Sequence, residues 1–448
     1  MMGQVDRRGV MLGGGAAAFA AVRGAAAARA PVTADGLRPA FFYAFPLYEM
    51  ARIAQERTAA AGGTGGLNTI THRAQLLDHR ARQVSGPNND TIYSSAFLDL
   101  AGGPLDLIIP TERDRYFCVA FMDAFTDNFA YVGARATHGR GGRFWVVGPH
   151  WRGAPPRGAQ VIRAPTNDVW MLARILVDGP GDLPAAQALQ RQIALVAPAG
   201  RPPPGPWSNR ATHAADGANF LAVVNEVLAR SAGGGSQLAR ATRFSSVGVG
   251  TSRAPDADLL AAWNAWIPAG LAELQEAFQY RDLVVDGWSY QEPGVGEFGT
   301  KDRLRAAVAL GGIAALGEAE AMYFHATRAA DGTLLDGRRA HRWRVPAGGV
   351  PADAFWSLSM YAAEPDGRFF FADNPIHRYA IGDRTPGLVV AADGSLDILI
   401  QHEPPDGVLA ANWLPAPAGP MRLALRAYMP RPELRRRRWR LPPLQAVA

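Results

Sequence analysis

The sequence predicts a mainly β protein with a helical region in its middle. Three observations predict it. Short extended runs bounded by Gly, Pro, Asp or Asn fill residues 88–180 and recur over 341–448. Apolar residues at helical spacing occupy the stretch between them, residues 181–340. Glycine and proline number 49 and 34 among 448 residues, which suits many turns.

The first 34 residues read as an export signal. Arg7-Arg8 precedes a short run of glycine, alanine, phenylalanine and valine, then small residues from Ala25 to Ala30. That is a charged region, an apolar core too short to span a bilayer and a cleavage zone between Ala27 and Ala34. The paired arginines favour the twin-arginine translocase as the export partner. The mature chain is then periplasmic or secreted, with no transmembrane segment, because no later stretch approaches about 20 apolar residues.

Residues 35–87 form an N-terminal helical segment. Phe41, Phe42, Phe45, Tyr48, Met50 and Ile53 mark one helix over 39–60, and a shorter one is expected over about 72–83. Strands follow at 93–98, 105–109, 116–122, 129–132, 143–147, 160–162 and 169–176, a spacing that argues for a β-sandwich. Helices are expected at 185–196, 218–228, 256–278 and 302–325, with Asp256 and Asp302 as N-caps. Strands at 342–345, 355–361, 387–391, 396–401 and 421–428 make a second β-domain.

Apolar and charged contents of 48% and 19% are those of a globular chain. The net charge is +6; the signal holds four arginines and one aspartate, so +3 remains, too little to imply nucleic acid. The single cysteine, Cys118, forbids an internal disulfide and sits in an apolar strand, where a buried thiol is expected. There is no G-x-S-x-G elbow, H-E-x-x-H, Walker loop or paired-cysteine site.

Three long stretches carry a resemblance: 68–73 with 87–94, 121–133, and 355–361 followed by 374–385. The chain resembles bacterial proteins pairing domain-of-unknown-function families 1254 (N-terminal) and 1214 (C-terminal). The resemblance implies an immunoglobulin-like β-sandwich, a helical middle and a C-terminal jelly-roll-like sandwich. It carries no established chemistry, so function rests on the residues.

Three polar turns border strands of the first sandwich. Pro87-Asn88-Asn89-Asp90-Thr91 is followed by Tyr93; Asp123, Asp127 and Asn128 form a second turn; Asn167-Asp168 ends a third. Each is either a self-capping Asx-turn or one wall of a pocket. In the pocket reading Asp90, Asp123 and Asp168 converge as catalytic carboxylates, or as hard oxygen ligands for a divalent cation such as Ca²⁺. Asn88, Asn89, Thr91, Tyr93 and Asn128 would orient a ligand, with Arg115 and Arg174 as neutralising cations. Arg378 and Arg384 are candidates for clamping an anionic group or for ordinary salt bridges. His402 beside Glu403 is a further, weaker candidate.

The leading expectation is an exported hydrolase acting on a small or oligomeric polar substrate. The alternatives are a non-catalytic binder of glycan or lipid, for which Trp356 and Trp413 could serve, and a structural envelope protein.

Overall fold

The computed structural model describes residues 34–60, 66–82, 85–179, 181–231, 235–279, 283–364 and 368–447. Residues 1–33 of the expected export signal lie outside them.

Helix α1 (Ala34–Ala60) opens the described chain, earlier than the expected start at Pro39. Residues 41–50 are all buried, so this helix is core on every side. Nine strands with one short helix follow: β1 (Thr71–Arg73), β2 (Thr91–Asp99), β3 (Leu105–Ile109), β4 (Phe117–Asp123), β5 (Asn128–Gly133), β6 (Gly142–Val147), β7 (Gln160–Arg163), β8 (Asp168–Leu176), α2 (Leu183–Gln190) and β9 (Ala194–Val196). They form two sheets, ordered β1-β2-β8-β4-β5 and β7-β6-β3-β9. Alternation sends Ile92, Val119, Phe121, Met171, Ala173 and Ile175 of the first sheet against Leu105, Leu107, Phe144 and Val146 of the second.

The middle contributes α3 (Gly217–Arg230), α4 (Gly235–Arg240) and α5 (Ala257–Ala277), then β10 (Val284–Val285), β11 (Trp288–Tyr290) and α6 (Asp302–Gly311). Asp256 caps α5 by accepting the Leu259 N–H. Helices α1, α3, α5 and α6 share one core containing Phe41, Phe45, Phe220, Val224, Trp263 and Val308.

The second β-region runs through β12 (Ala321–Ala326), β13 (His341–Val345), β14 (Ala352–Ala363), β15 (Phe369–Phe370), β16 (Ala380–Gly382), β17 (Leu396–Gln401), β18 (Trp413–Pro415), β19 (Met421–Pro430), α7 (Pro432–Arg435) and β20 (Leu444–Ala446). Its larger sheet is ordered β10-β11-β12-β19-β14-β15, with β16 also on β14; the smaller is β18-β17-β13-β20. Phe324, Leu358, Leu423, Leu425, Trp343 and Ile398 fill the space between them. The protein is mainly β with a helical middle, as the sequence predicts.

Several elements depart from expectation. Residues 71–73 pair with Tyr93–Ser95 as β1, so the short helix over 72–83 is not formed. Helix α2 ends at Gln190, and 194–196 pairs with β3. Strands β1 and β9 thus extend the first sandwich beyond the expected limits of 88 and 180. The helix expected over 302–325 stops at Gly311-Gly312, where a Cβ on Gly311 would lie 2.3 Å from the Phe278 ring. Met322 and Phe324 then alternate with Tyr323 and His325 at period two, giving β12. Asp302 begins α6 and pairs with Arg240, whereas the cap position belongs to Lys301. Residues 387–391 form no strand.

One packing relation positions the site. The outer face of the first large sheet is shared by two coverings. Met50 and Ala54 of α1 lie on Phe97, Met122, Trp170 and Leu172. Nearer the other end, Ala321, Phe355 and Tyr428 of the second sandwich meet Tyr116, Cys118, Ala120 and Leu176. Cys118 is buried, as expected.

Candidate functional site

Strands β2 and β8 are antiparallel, with Thr91 opposite Leu176 and Asp99 opposite Asp168. Asp90 and Asp168 therefore lie at opposite ends of a strand pair, on the order of 25 Å apart at about 3.3 Å per residue. Asp123 is level with Val169 on the interior face, while Asp168 shares the outer face with Trp170. The expected convergence of Asp90, Asp123 and Asp168 is not formed.

Each of the other two carboxylates has a structural task. Asp123 closes its own turn, accepting from the Phe125 N–H at 2.9 Å and the Asp127 N–H at 3.0 Å. Burial, with the neighbouring Asp127 carboxylate, pushes it up to about 7. Asp168 takes a two-point bond from Arg230, 2.8 Å to Nε and 2.9 Å to Nη2.

Several other expected residues are also spoken for. Asn128 donates to Gly296 O and Ala315 O. Asn89 turns away to Leu77 O. Arg115 pairs with Asp182, so it neutralises none of the three aspartates. Arg378 donates to Ala411 O and Trp413 O, apart from Arg384, and the paired clamp is not made. His402 bonds Ala416 O and is half-exposed at the surface. Trp356 and Trp413 are core residues, 3% exposed each, and offer no open platform.

The remaining expected residues do come together, between the two sandwiches. Asn88 Oδ1 accepts the Asp90 N–H at 2.7 Å, and Asn88 Nδ2 donates to the Tyr428 hydroxyl at 2.7 Å. Tyr93 of β2 lies beside Arg174 of β8, whose guanidinium carbon is 5.7 Å from its ring centre. Arg174 also borders Tyr323 and Tyr428, and Nη2 donates to Ala314 O at 2.6 Å. Arg426 donates to Ser359 Oγ, to the Tyr361 hydroxyl and to Gly86 O. His325 is held neutral by burial and by the nearby Arg422 and Arg426 charges.

At the rim, Arg384 lies over the Phe355 ring at 4.1 Å, between Asp90 (3.9 Å), Asp178 (3.5 Å) and Asp383 (3.8 Å). Burial pushes Asp383 up to about 6; Arg384 opposes this and Asp90 adds to it.

Besides Arg384 Nε at the rim, four buried polar atoms of this region have no hydrogen-bond partner among the described residues. They are Asp90 Oδ2, Thr91 Oγ1, Arg174 Nη1 and Ser357 Oγ. Native proteins pair nearly all such groups, so several exceptions in one interface mark a place where a ligand or ordered water belongs.

The segment after α6 borders this centre and an outer groove. Its inner side meets Arg174 through Ala314 O and Tyr323 through the Leu316 N–H. Its outer side meets Asn128 through Ala315 O and Tyr131 through the Gly317 N–H. Asn128, Tyr131, Arg135, Glu297 and Ala319 line that groove, whose volume is about 460 Å³. Ala314 holds φ +65 there, a left-handed conformation unusual outside glycine. No group of three or more His, Cys, Asp or Glu suited to a metal occurs among the described residues. The Arg384 guanidinium lies 3.9 Å from Asp90.

Sequence reasoning missed Tyr323, Ser357, Ser359, Tyr361, Arg426 and Tyr428. The signal was present in Met421–Tyr428, where Arg422, Arg426 and Tyr428 alternate with Leu423, Leu425 and Ala427. Two arginines on one face of a strand between apolar runs mark a polar surface that a second layer must cover.

The architecture is thus that of a two-sandwich protein whose sheets enclose a polar centre beside a helical core. Residues 67–197 match the family described as "Protein of unknown function (DUF1254)", and residues 320–432 match that described as "Protein of unknown function (DUF1214)". The chain pairs a DUF1254 domain with a DUF1214 domain. Among solved structures, the VPA0106 protein from Vibrio parahaemolyticus is similar: 21% identity, TM-score 0.72, covering 93% of this chain and 100% of that one. An uncharacterised Burkholderia cenocepacia protein aligns at 15% identity and TM-score 0.46, over 94% of this chain and 91% of its own. No curated protein matches.

Proposed function

We propose that this protein binds a small polar molecule between its two sandwiches, with Asp90, Thr91, Arg174 and Ser357 as contacts. The observation that carries the reading is the group of buried, unpartnered polar atoms on those four residues. Tyr93, Tyr323 and Tyr428 would wall the ligand, and Arg384 would stand at its rim. The test is a melting-temperature screen of small polar metabolites against the wild type and Asp90→Asn. A ligand at about 100 times its Kd stabilises the folded state by about 2.7 kcal/mol. At least one compound class is expected to protect the wild type and to lose most of that effect in Asp90→Asn. Equal protection of both proteins would contradict the reading.

A hydrolytic step on the bound molecule is the second reading, and Asp383 favours it. A carboxyl group pushed up to about 6 beside Asp90 and Arg384 could deliver a proton near neutral pH. Turnover of a protecting compound, abolished in Asp383→Asn with binding retained, would establish it.

We further propose that the chain works outside the cytoplasm, exported by the twin-arginine translocase. Arg7-Arg8 and the short apolar run behind it support this. Replacing both arginines by lysine is expected to strand the precursor in the cytoplasm, read by cell fractionation. Undiminished periplasmic accumulation would contradict it.

A further inference from the structure

We infer that the molecule held between the sandwiches is a small monocarboxylate, and that Arg174 receives its carboxylate. This rests on the proposed binding function and names the ligand class. Two independent observations carry it.

The first is charge. Arg174 and Arg426 are 7% and 8% exposed, and neither forms an ion pair among the described residues. Asp90, also 7% exposed, is a buried carboxylate whose charge acts on Arg426, and it lies 3.9 Å from Arg384. Asp178 and Asp383 lie at the rim against Arg384, 3.5 and 3.8 Å from it. The Arg174 and Arg426 guanidiniums outnumber the buried Asp90 carboxylate, leaving an excess of positive charge in a region of low dielectric. An uncompensated buried charge is costly, and one anionic group removes the imbalance.

The second is hydrogen-bonding sense. Arg174 keeps Nη1 unpartnered, and a guanidinium has donors and no acceptor. The Tyr323 hydroxyl accepts from the Leu316 N–H, and the Tyr428 hydroxyl accepts from Asn88 Nδ2. Each phenol therefore has its own proton available to donate. The hydroxyls of Thr91 and Ser357 are also without partners. Donors predominate, so the complementary ligand is an acceptor. A planar carboxylate matches the flat edge of a guanidinium, with phenol donors completing its second oxygen. Asp90 Oδ2 is the exception, and it would accept from a hydroxyl or amine elsewhere on the ligand.

The experiment measures thermal protection by matched pairs that differ only in charge: lactate with lactamide, and benzoate with benzamide. Inorganic phosphate and sulfate form a third arm, and glucose and glycerol a neutral fourth. The acids are expected to protect the wild type at concentrations at least ten-fold below their amides. Arg174→Gln should remove that preference, while Arg174→Lys, which keeps the charge and loses the fork, should retain part of it. Should Arg174→Gln not fold, Tyr428→Phe serves as the second variant and is expected to weaken carboxylate protection several-fold. Protection by neutral compounds alone would overturn the carboxylate assignment and leave the binding reading standing. Protection by phosphate or sulfate alone would overturn it likewise. Equal acid protection in wild type and Arg174→Gln would overturn the role of Arg174. Protection by none of these probes, when the broader metabolite screen does find a ligand, would also overturn the monocarboxylate.

Discussion

Asp168→Ala is expected to destabilise the protein by about 3–5 kcal/mol, although Asp168 lies at the far end of the sheet from the proposed ligand. Its carboxylate is buried and holds Arg230 by two bonds of 2.8 and 2.9 Å. Removing one partner of a buried pair strands the other charge, which is where losses of that size arise. Asp99, 3.5 Å from Arg230, is too distant to replace both bonds. The Arg230 guanidinium also lies 4.3 Å from the Trp207 ring centre, so its displacement disturbs that contact as well. Urea unfolding monitored by tryptophan fluorescence checks this through the midpoint at unchanged slope. A loss under about 1 kcal/mol would show that water screens the pair.

Asp123→Asn is expected to change how stability depends on pH. The folded-state pKa is about 7, raised by burial and by Asp127, whereas an unfolded aspartate titrates at about 4. Between those values the folded protein keeps a proton that the unfolded chain has released. Stability from this group is therefore fully present below about pH 4 and is lost as pH rises, at about 1.4 kcal/mol per unit, until about pH 7. The asparagine variant keeps an oxygen to accept from the Phe125 and Asp127 N–H groups and has no titration. Relative to wild type it should gain stability steadily from pH 4 to 7 and then level off. A pH-independent difference would show that the turn's two N–H donors hold the carboxylate ionised throughout.

Much of the β-architecture was legible in the sequence because its strands are short, alternating and punctuated. Leu105–Ile109, Phe117–Asp123 and Leu396–Gln401 show apolar residues or paired faces that only an extended chain satisfies. Boundaries failed where one segment changes period. Residues 302–325 read as one helix because apolar positions continue past Gly311, where α6 ends and a Cβ would meet the Phe278 ring, and the extended period begins only at Ala321.

The candidate site was half legible for a related reason. Asn88, Asp90, Thr91 and Tyr93 are contiguous, so a single polar turn announced them. Arg174 and Arg384 could be flagged as buried or turn-borne cations. Arg426, Tyr428 and Tyr323 come from strands more than 200 residues away, and their union with Asp90 depends on how two sandwiches dock. The three aspartates failed to converge because strand register separates them: a nine-residue strand puts its two ends far apart, and alternation puts neighbours on opposite faces.

The most direct measurement of the central claim is a crystal structure of the protein grown with a compound that protects it in the melting screen. Density for that compound is expected between β8 and β19, within about 3.2 Å of both Arg174 Nη1 and Asp90 Oδ2. Density confined to the outer groove beside Tyr131 and Glu297, with Arg174 and Asp90 bonded only to ordered water, would contradict the account.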